Sequence, residues 1–313
     1  MTVTIDRVGS FIPEASLGME ELRDLLGLPD TQLSTYRRFL GYERVASADG
    51  IPLPDLLASA ARRALDGADP AGVRYLIYAQ TVPQAPPPGV NTVDRLRATL
   101  GLENAVAFSV SHQNCATGLY AVQLAGHLLS AEQDGRALVV MGERAFCPEM
   151  RFIPNVALLG EASAAVLVGS GGSGDRVLSG AFRLHGKFYA GRHIEKENMR
   201  ELIGLYVRTF ADVIGEAVHR AGLKPSDIAL VLPHNVSRLS WLGVSGALDI
   251  PLSKIFLDNV PKFGHLFCAD PFVNLDAARR AGLLRPGDAV VLACVGIGAA
   301  FGALVVRIGT GGD

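Results

Sequence analysis

Along the chain, short apolar or β-branched runs alternate with stretches whose apolar residues recur at helical spacing. Residues 3–12, 73–82, 105–110, 137–141 and 164–168 read as strands, and 20–26, 54–65, 90–100 and 115–129 as helices. A flexible Gly169-Ser-Gly-Gly-Ser-Gly174 then breaks the pattern near the midpoint. Beyond it, residues 177–184, 228–232, 254–257, 289–294 and 300–308 read as strands, and 197–221 and 271–282 as helices. This alternation predicts an α/β protein with mostly parallel strand pairing.

The halves also match in detail. Cys115 opens a helical stretch 22 residues before the strand starting at Ala137, and Phe267 opens one 22 residues before Ala289. Two strand–helix–strand units in equivalent places predict an internal duplication, with halves at 1–174 and 175–313; chance similarity is the competing reading. In a pseudo-symmetric pair the two helix starts can face each other, which would bring Cys115 near the loop 262–270.

Composition narrows the function. With 313 residues the chain can bury a large core, and 49% hydrophobic against 19% charged residues leave part of the surface for a partner. A net charge of −2, no Lys/Arg cluster and 7% aromatic residues give no case for nucleic acid. Four cysteines (Cys115, Cys147, Cys268, Cys294) lack metal-ligand spacing, so neither a metal site nor a disulfide framework is expected. There is no basic-then-apolar leader and no apolar run of membrane-spanning length. The expectation is a soluble, cytoplasmic protein with reduced thiols.

Cys115 is the leading candidate for chemistry. It stands where an apolar strand gives way to a helix, at free backbone N–H groups and the positive end of the helix dipole. Both favour the nucleophilic thiolate; the alternative is a small buried cysteine packing a helix start. His234 follows an apolar strand at its exit, where α/β proteins place ligand contacts. His265 immediately precedes the second special helix, so these two imidazoles could serve as base or donor to a cysteine nucleophile. His112, His127, His185, His193 and His219 have no comparable context. Gly296-Ile-Gly-Ala-Ala-Phe-Gly302 misses the dinucleotide spacing and reads instead as a tight turn whose N–H groups could meet an oxyanion. A plain hairpin is the other reading.

Taken in order, these segments resemble the thiolase-fold condensing enzymes, most of all β-ketoacyl-acyl-carrier-protein synthase III. Asn114-Cys-Ala-Thr-Gly118 is similar to the nucleophile segment, and Leu159-Gly-Glu-Ala-Ser-Ala-Ala-Val166 to the Gly-Asp/Glu-Gly-Ala segment. Val231-Leu-Pro-His-Asn235 is similar to the Pro-His-Gln segment, Phe263-Gly-His265 falls where the family carries Gly-Asn, and Val295-Gly-Ile-Gly298 is similar to the final oxyanion loop. The resemblance spans nearly the whole chain. It implies a thiolase-like fold of two pseudo-symmetric βαβ-rich halves in layers α-β-α-β-α, and a homodimer.

The implied chemistry is acyl transfer through a Cys115 thioester, with His234 and His265 as catalytic partners and the backbone N–H groups of Cys115 and Ile297 holding the oxyanion. Asp270 is a candidate to orient a histidine, a helix cap being the plainer reading. No cofactor is implied beyond the substrate's own coenzyme A or phosphopantetheine thioester. Two departures bear on the reaction. His265 stands in place of the asparagine that helps polarise a malonyl carbonyl. The tryptophan that clasps coenzyme A is missing from 35–44, where Arg37 and Arg38 could meet a phosphate or an acidic carrier protein. The segment from Lys187 to Glu197 is also shorter than in typical relatives, so the acyl tunnel could differ in shape. The leading expectation is Claisen condensation of the acyl group with a malonyl-type thioester, in fatty-acid-like or polyketide metabolism. The alternative is transfer, without decarboxylation, to a hydroxyl or amine. A Cys hydrolase or a non-catalytic partner of another synthase ranks below both.

Overall fold

The computed structural model describes residues 3–83, 91–130 and 135–311; Val90, the first residue of one expected helix, lies outside them. Among the described residues, nine strands join in one sheet: β1 (Thr4–Phe11), β2 (Val73–Ala79), β3 (Val106–Val110), β4 (Arg136–Gly142), β5 (Ser163–Gly169), β6 (Asp175–Leu184), β7 (Ile228–Pro233), β8 (Ala289–Gly296) and β9 (Ala300–Arg307). Their order is β7-β8-β9-β6-β1-β5-β4-β2-β3. The five strands before Ser170 lie on one side and the four after Gly174 on the other, joined where Thr4 and Ile5 pair with Arg176 and Asp175.

Outward from that seam the halves repeat. β1 and β6 pair antiparallel with β5 and β9, these pair antiparallel with β4 and β8, and β4 and β8 pair parallel with β2 and β7. The expectation of mostly parallel pairing is therefore corrected: five of the eight neighbouring pairs are antiparallel. The cause is connection length, since the three residues Ile297–Ala299 between β8 and β9 leave no room for a crossover.

Among the described residues, nine helices accompany the sheet: α1 (Met19–Leu26), α2 (Asp30–Thr35), α3 (Leu53–Leu65), α4 (Thr92–Thr99), α5 (Thr117–Leu129), α6 (Lys196–Arg220), α7 (Arg238–Leu248), α8 (Val260–Phe263) and α9 (Asp270–Arg280). The Ala- and Leu-rich α3 and the more polar α4 cover one face of the first half-sheet, burying Leu57, Ala61 and Leu96 with Leu138 and Val140. The opposite side chains of the same strands, Val139 and Met141, meet α5 and α9, which also cover Val290, Leu292 and Leu304 of the second half-sheet. Beyond it, α6 and α7 close on Val291, Ala293 and Val305. The result is five layers, α-β-α-β-α, with α5 and α9 in the middle. Because helices cover both faces, β4 is apolar and buried at every position from Ala137 to Gly142.

Local departures have local causes. The strand expected at 254–257 is a 3-10 turn (Leu252–Lys254) and a single bridge from Ile255 to Val231. Pro251 sets that turn and α8 begins at Val260, so no ladder has room to grow. Within 35–44, α2 runs into a π-helical turn, Tyr36–Leu40, which buries Tyr36 and Leu40 and ends at Gly41. Helix α7, which Ser237 caps through Leu239 and Ser240 N–H, was not expected at all. No helix among the described residues is long and apolar enough to cross a membrane.

Candidate active site

Cys115 lies in a 3-10 turn, Asn114–Ala116, that feeds α5 at Thr117, two residues later than the sequence pattern suggests. Its pseudo-equivalent is the 3-10 turn Phe267–Ala269 that feeds α9. Both turns open on a left-handed residue, Asn114 (φ 48°) and Phe267 (φ 57°). Asparagine tolerates that conformation, whereas for phenylalanine it stores strain that the surrounding fold must hold. The turns approach closely because position 118 is glycine: a Cβ there would sit 2.7 Å from the Cys268 carbonyl oxygen.

This approach places the loop 262–270 against the thiol. The Cys115 Sγ lies 3.1 Å from His265 Nε2. The other ring nitrogen, Nδ1, is held by the Asp270 carboxylate. Asp270 in turn accepts from the N–H groups of Asn235 (2.6 Å) and Leu266 (2.8 Å). Asp270 is the first residue of α9 yet caps none of that helix's own N–H groups. His265 and Asp270 are both fully buried, and Cys115 is 4% exposed. Burial works against a charged His265. The charges of Cys115 and Asp270, and their hydrogen bonds, outweigh it and hold the imidazole up at about 10.

His234 takes a different place. It follows β7, its N–H donates to Ala293 O, and its carbonyl accepts from Trp241 Nε1. Its Nε2 meets the Tyr206 hydroxyl at 3.2 Å rather than the thiol, and Nδ1 has no partner among the described residues. The two imidazole centroids are 6.1 Å apart. Burial, and next the charge of His265, push His234 well below its usual range, so this ring is neutral at physiological pH.

The turn after β8 is clamped to the residues before the nucleophile. A Cβ at Gly296 would fall 2.0 Å from the Gln113 carbonyl oxygen, so only glycine allows the approach. The Asn114 side chain donates to Ile297 O at 2.5 Å, and the Cys294 thiol donates to Cys115 O at 2.8 Å. The Ile297 turn and the Cys115 turn thus share one wall.

Arg37 and Arg38 are not drawn into this network. Both are exposed on the π-helical turn, and Arg37 pairs with Glu20 at 2.6 Å. Sequence reasoning missed the scaffold behind the histidines. Asn274 donates to Pro233 O and to Asn235 Oδ1, Asn259 donates to Asn274, and the Tyr42 hydroxyl bonds the Asn235 and Val236 carbonyls. Asn274 had a signal, one turn after Asp270 on an otherwise apolar helix face. Tyr42 and Tyr206 had none.

The two imidazoles set opposite pH limits on stability. His265 is raised from 6.5 to about 10, so its contribution is whole below about 6.5 and is lost as the pH climbs toward 10. His234 is depressed, so its contribution is whole above about 6.5 and is lost as the pH falls. Urea unfolding midpoints should therefore decline on both sides of neutrality. His265→Gln should flatten the alkaline limb and His234→Gln the acid one.

Residues 218–308 match the family described as 3-oxoacyl-[acyl-carrier-protein (ACP)] synthase III C terminal. Over 315 residues the chain is 25% identical to β-ketoacyl-[acyl-carrier-protein] synthase III of Aquifex aeolicus, covering 98% of this chain and all of that protein. Among solved structures, the acyltransferase ChlB3 superposes with a TM-score of 0.88 at 22% identity, covering 99% of this chain and 98% of that one. The synthase III (FabH) of Pseudomonas aeruginosa PAO1 superposes with a TM-score of 0.83 at 23% identity, covering 99% of each chain. The layered, duplicated sheet and these full-length likenesses agree: the chain has the thiolase-like fold and is similar over its whole length to the β-ketoacyl-acyl-carrier-protein synthases III.

Proposed function

We propose that this chain is an acyltransferase that carries its acyl group on Cys115 and passes it to a hydroxyl or amine. Its catalytic set is Cys115, His265 and Asp270. One observation carries the reading: His265 has Nε2 on the thiol at 3.1 Å while Nδ1 is fixed on Asp270. Once Cys115 is acylated, the thiolate charge that chiefly raises His265 is gone and its proton has left with the donor thiol. The imidazole, held by its Nδ1–H on a carboxylate, then presents an unprotonated Nε2, which is a base. Such a nitrogen suits removal of a proton from a hydroxyl or amine and cannot donate to a malonyl carbonyl.

The protons then balance. In the first half-reaction the Cys115 thiolate attacks the donor thioester, the C–S bond to the donor breaks, and protonated His265 gives its proton to the departing thiolate. In the second, neutral His265 takes the acceptor's proton as its oxygen or nitrogen attacks the acyl-Cys115 carbonyl. Collapse of that intermediate restores the thiolate–imidazolium pair. Backbone N–H groups of Cys115 and Ile297 hold the oxyanion in both steps; one such donor is worth about 10²- to 10³-fold in rate. The donor is read as a thioester of coenzyme A or of a carrier protein, in keeping with the carrier named for the Aquifex relative. Arg37 and Arg38 would meet its phosphate or acidic surface. Two copies would pair along β3, the outer edge of the first half-sheet, where Val106 is 60% exposed.

Condensation, the leading expectation from sequence, keeps support from the ketoacyl synthase relatives and from the second histidine 6.1 Å from the first. Carboxyl-labelled malonyl thioester separates the two. The expected result is an acyl adduct on Cys115 and transfer to an amine or alcohol with no labelled carbon dioxide. Release of label in step with product would overturn acyl transfer in favour of condensation, and no adduct with any acyl thioester would end both.

A further inference from the structure

The His265 imidazole reaches the thiol from a backbone that is itself hung between two hydrogen bonds. Its N–H donates to Leu158 O at 2.9 Å, and its carbonyl accepts from Gly160 N–H at 3.0 Å, making a parallel bridge to Leu159. Glycines on both strands of the bridge permit this approach. A Cβ at Gly264, which is left-handed (φ 72°), would sit 2.9 Å from the Leu158 carbonyl oxygen, and one at Gly160 would run into the Phe263 carbonyl. Where residues 158–160 go, the ring of His265 follows.

The next residue, Glu161, decides where they go. It is fully buried. Its N–H donates to Ala46 O at 2.9 Å, and its carboxylate accepts from the N–H groups of Ala48 (2.7 Å) and Ala145 (2.8 Å). Arg151 pairs with the same carboxylate at 3.0 Å, and Arg144 stands 3.7 Å away. One side chain thus ties this stretch to the separate segments 46–48, 144–145 and 151. Arg151 adds a second tie, its carbonyl accepting from Leu159 N–H at 2.8 Å. A buried ion pair is weak stabilisation, because desolvation offsets the attraction. What donors aimed at both oxygens do provide is a single geometry.

We propose that Glu161 is a positioning residue for His265, its carboxylate fixing residues 158–160 and through them the reach of Nε2 to the Cys115 sulfur. The inference rests on the Cys115–His265 pairing of the acyltransferase reading and adds the group that sets the 3.1 Å contact. No bond to Glu161 forms or breaks, and no proton passes through it.

The test reads that contact without any acyl group, by timing alkylation of Cys115 with iodoacetamide at neutral pH on the full chain. Peptide mapping separates Cys115 from the exposed Cys147. In Glu161→Gln the amide must turn its NH₂ toward one of the donors, so residues 158–160 shift. A misplacement of about 1 Å can cost about 10²-fold in rate, and alkylation is expected to slow by about 10- to 100-fold. The His265 ring, followed by NMR, should titrate below the value of about 10 at which the parent holds it. Asp175→Asn is the control. It alters another buried carboxylate, held by Arg279 and the Gly309 N–H, and no hydrogen bond of Asp175 runs to residues 158–161. Sites that share no partner act independently, so alkylation there should stay within about threefold of the parent whatever the unfolding midpoint does.

Glu161→Gln reacting at the parent's rate overturns the proposal and leaves Glu161 as a tie of the fold alone. Equal slowing in Asp175→Asn overturns it as well, by making the effect one of general loosening. If Glu161→Gln does not fold, Glu161→Asp carries the test, since it keeps the charge facing Arg151 but is one methylene too short to reach every donor. Alkylation about threefold to tenfold slower is then expected, and the parent's rate again overturns the proposal. A parent that takes no acyl group while these alkylation rates hold would strike the acyltransferase reading and not this one.

Discussion

Cys115→Ala is expected to abolish the acyl adduct outright, with loading by any acyl thioester falling below detection. In the proposed reaction the sulfur supplies the bond that holds the acyl group, and neither His265 nor Asp270 can replace it. The fold should survive, since Cys115 is a small side chain in a turn whose shape is set by Asn114, Thr117 and Gly118. His265 would lose the charge that chiefly holds it up, so the alkaline limb of stability should shrink together with activity. Cys147 is the one exposed thiol, so the adduct must be placed by peptide mapping as well as total mass. An adduct mapped to Cys268 or Cys294 in the variant would move the nucleophile and undo the assignment of His265 as its partner.

Asp270→Asn should be nearly as damaging, by a different route. The carboxylate accepts from three donors at once: His265 Nδ1, Asn235 N and Leu266 N. An amide offers one oxygen and must turn its NH₂ toward a group that also donates. Either a backbone N–H loses its partner, at about 1–3 kcal/mol of stability, or the imidazole flips its tautomer and Nε2 stops being a base. Neutralising a carboxylate that orients a catalytic histidine costs on the order of 10⁴-fold in the serine-protease case, and about 10³- to 10⁴-fold is expected here. Measured loading and discharge should fall together, because in the proposed reaction His265 moves a proton in both. Loss of discharge alone would mean that His265 gives no proton to the departing thiol. Full activity would leave Asp270 as a structural anchor of the 262–270 loop. The double variant with Cys115→Ala should be no worse than Cys115→Ala alone, since residues acting as a unit are not additive.

Much of the architecture was legible because it depends on short-range pattern. The runs at 137–141 and 164–168 are continuous apolar strands, and that is the signature of strands covered on both faces, as β4 and β5 are. The equal intervals from Cys115 to Ala137 and from Phe267 to Ala289 mark the duplication, and the structure has two matching turns opening α5 and α9. Strand direction was not legible. Apolar periodicity says that a residue is buried, but not which way its neighbour runs. Helix α7 escaped notice because Trp241, Val244 and Leu248 are spread among Gly and Ser, which weaken a helical pattern until tertiary packing buries it.

The sequence by itself determined the fold class and singled out Cys115 as the candidate thiol, because both follow from residue type and spacing within one unit. Which imidazole meets that thiol was decided only by tertiary structure. His234 and His265 carry equivalent local signals, yet one is fixed on Tyr206 and the other on Cys115 and Asp270. That choice depends on contacts between residues 150 and 28 positions apart. The contact of Cys115 with His265 arises where two half-sheets close over shared helices, and glycines at 118 and 296 bring the backbones near enough.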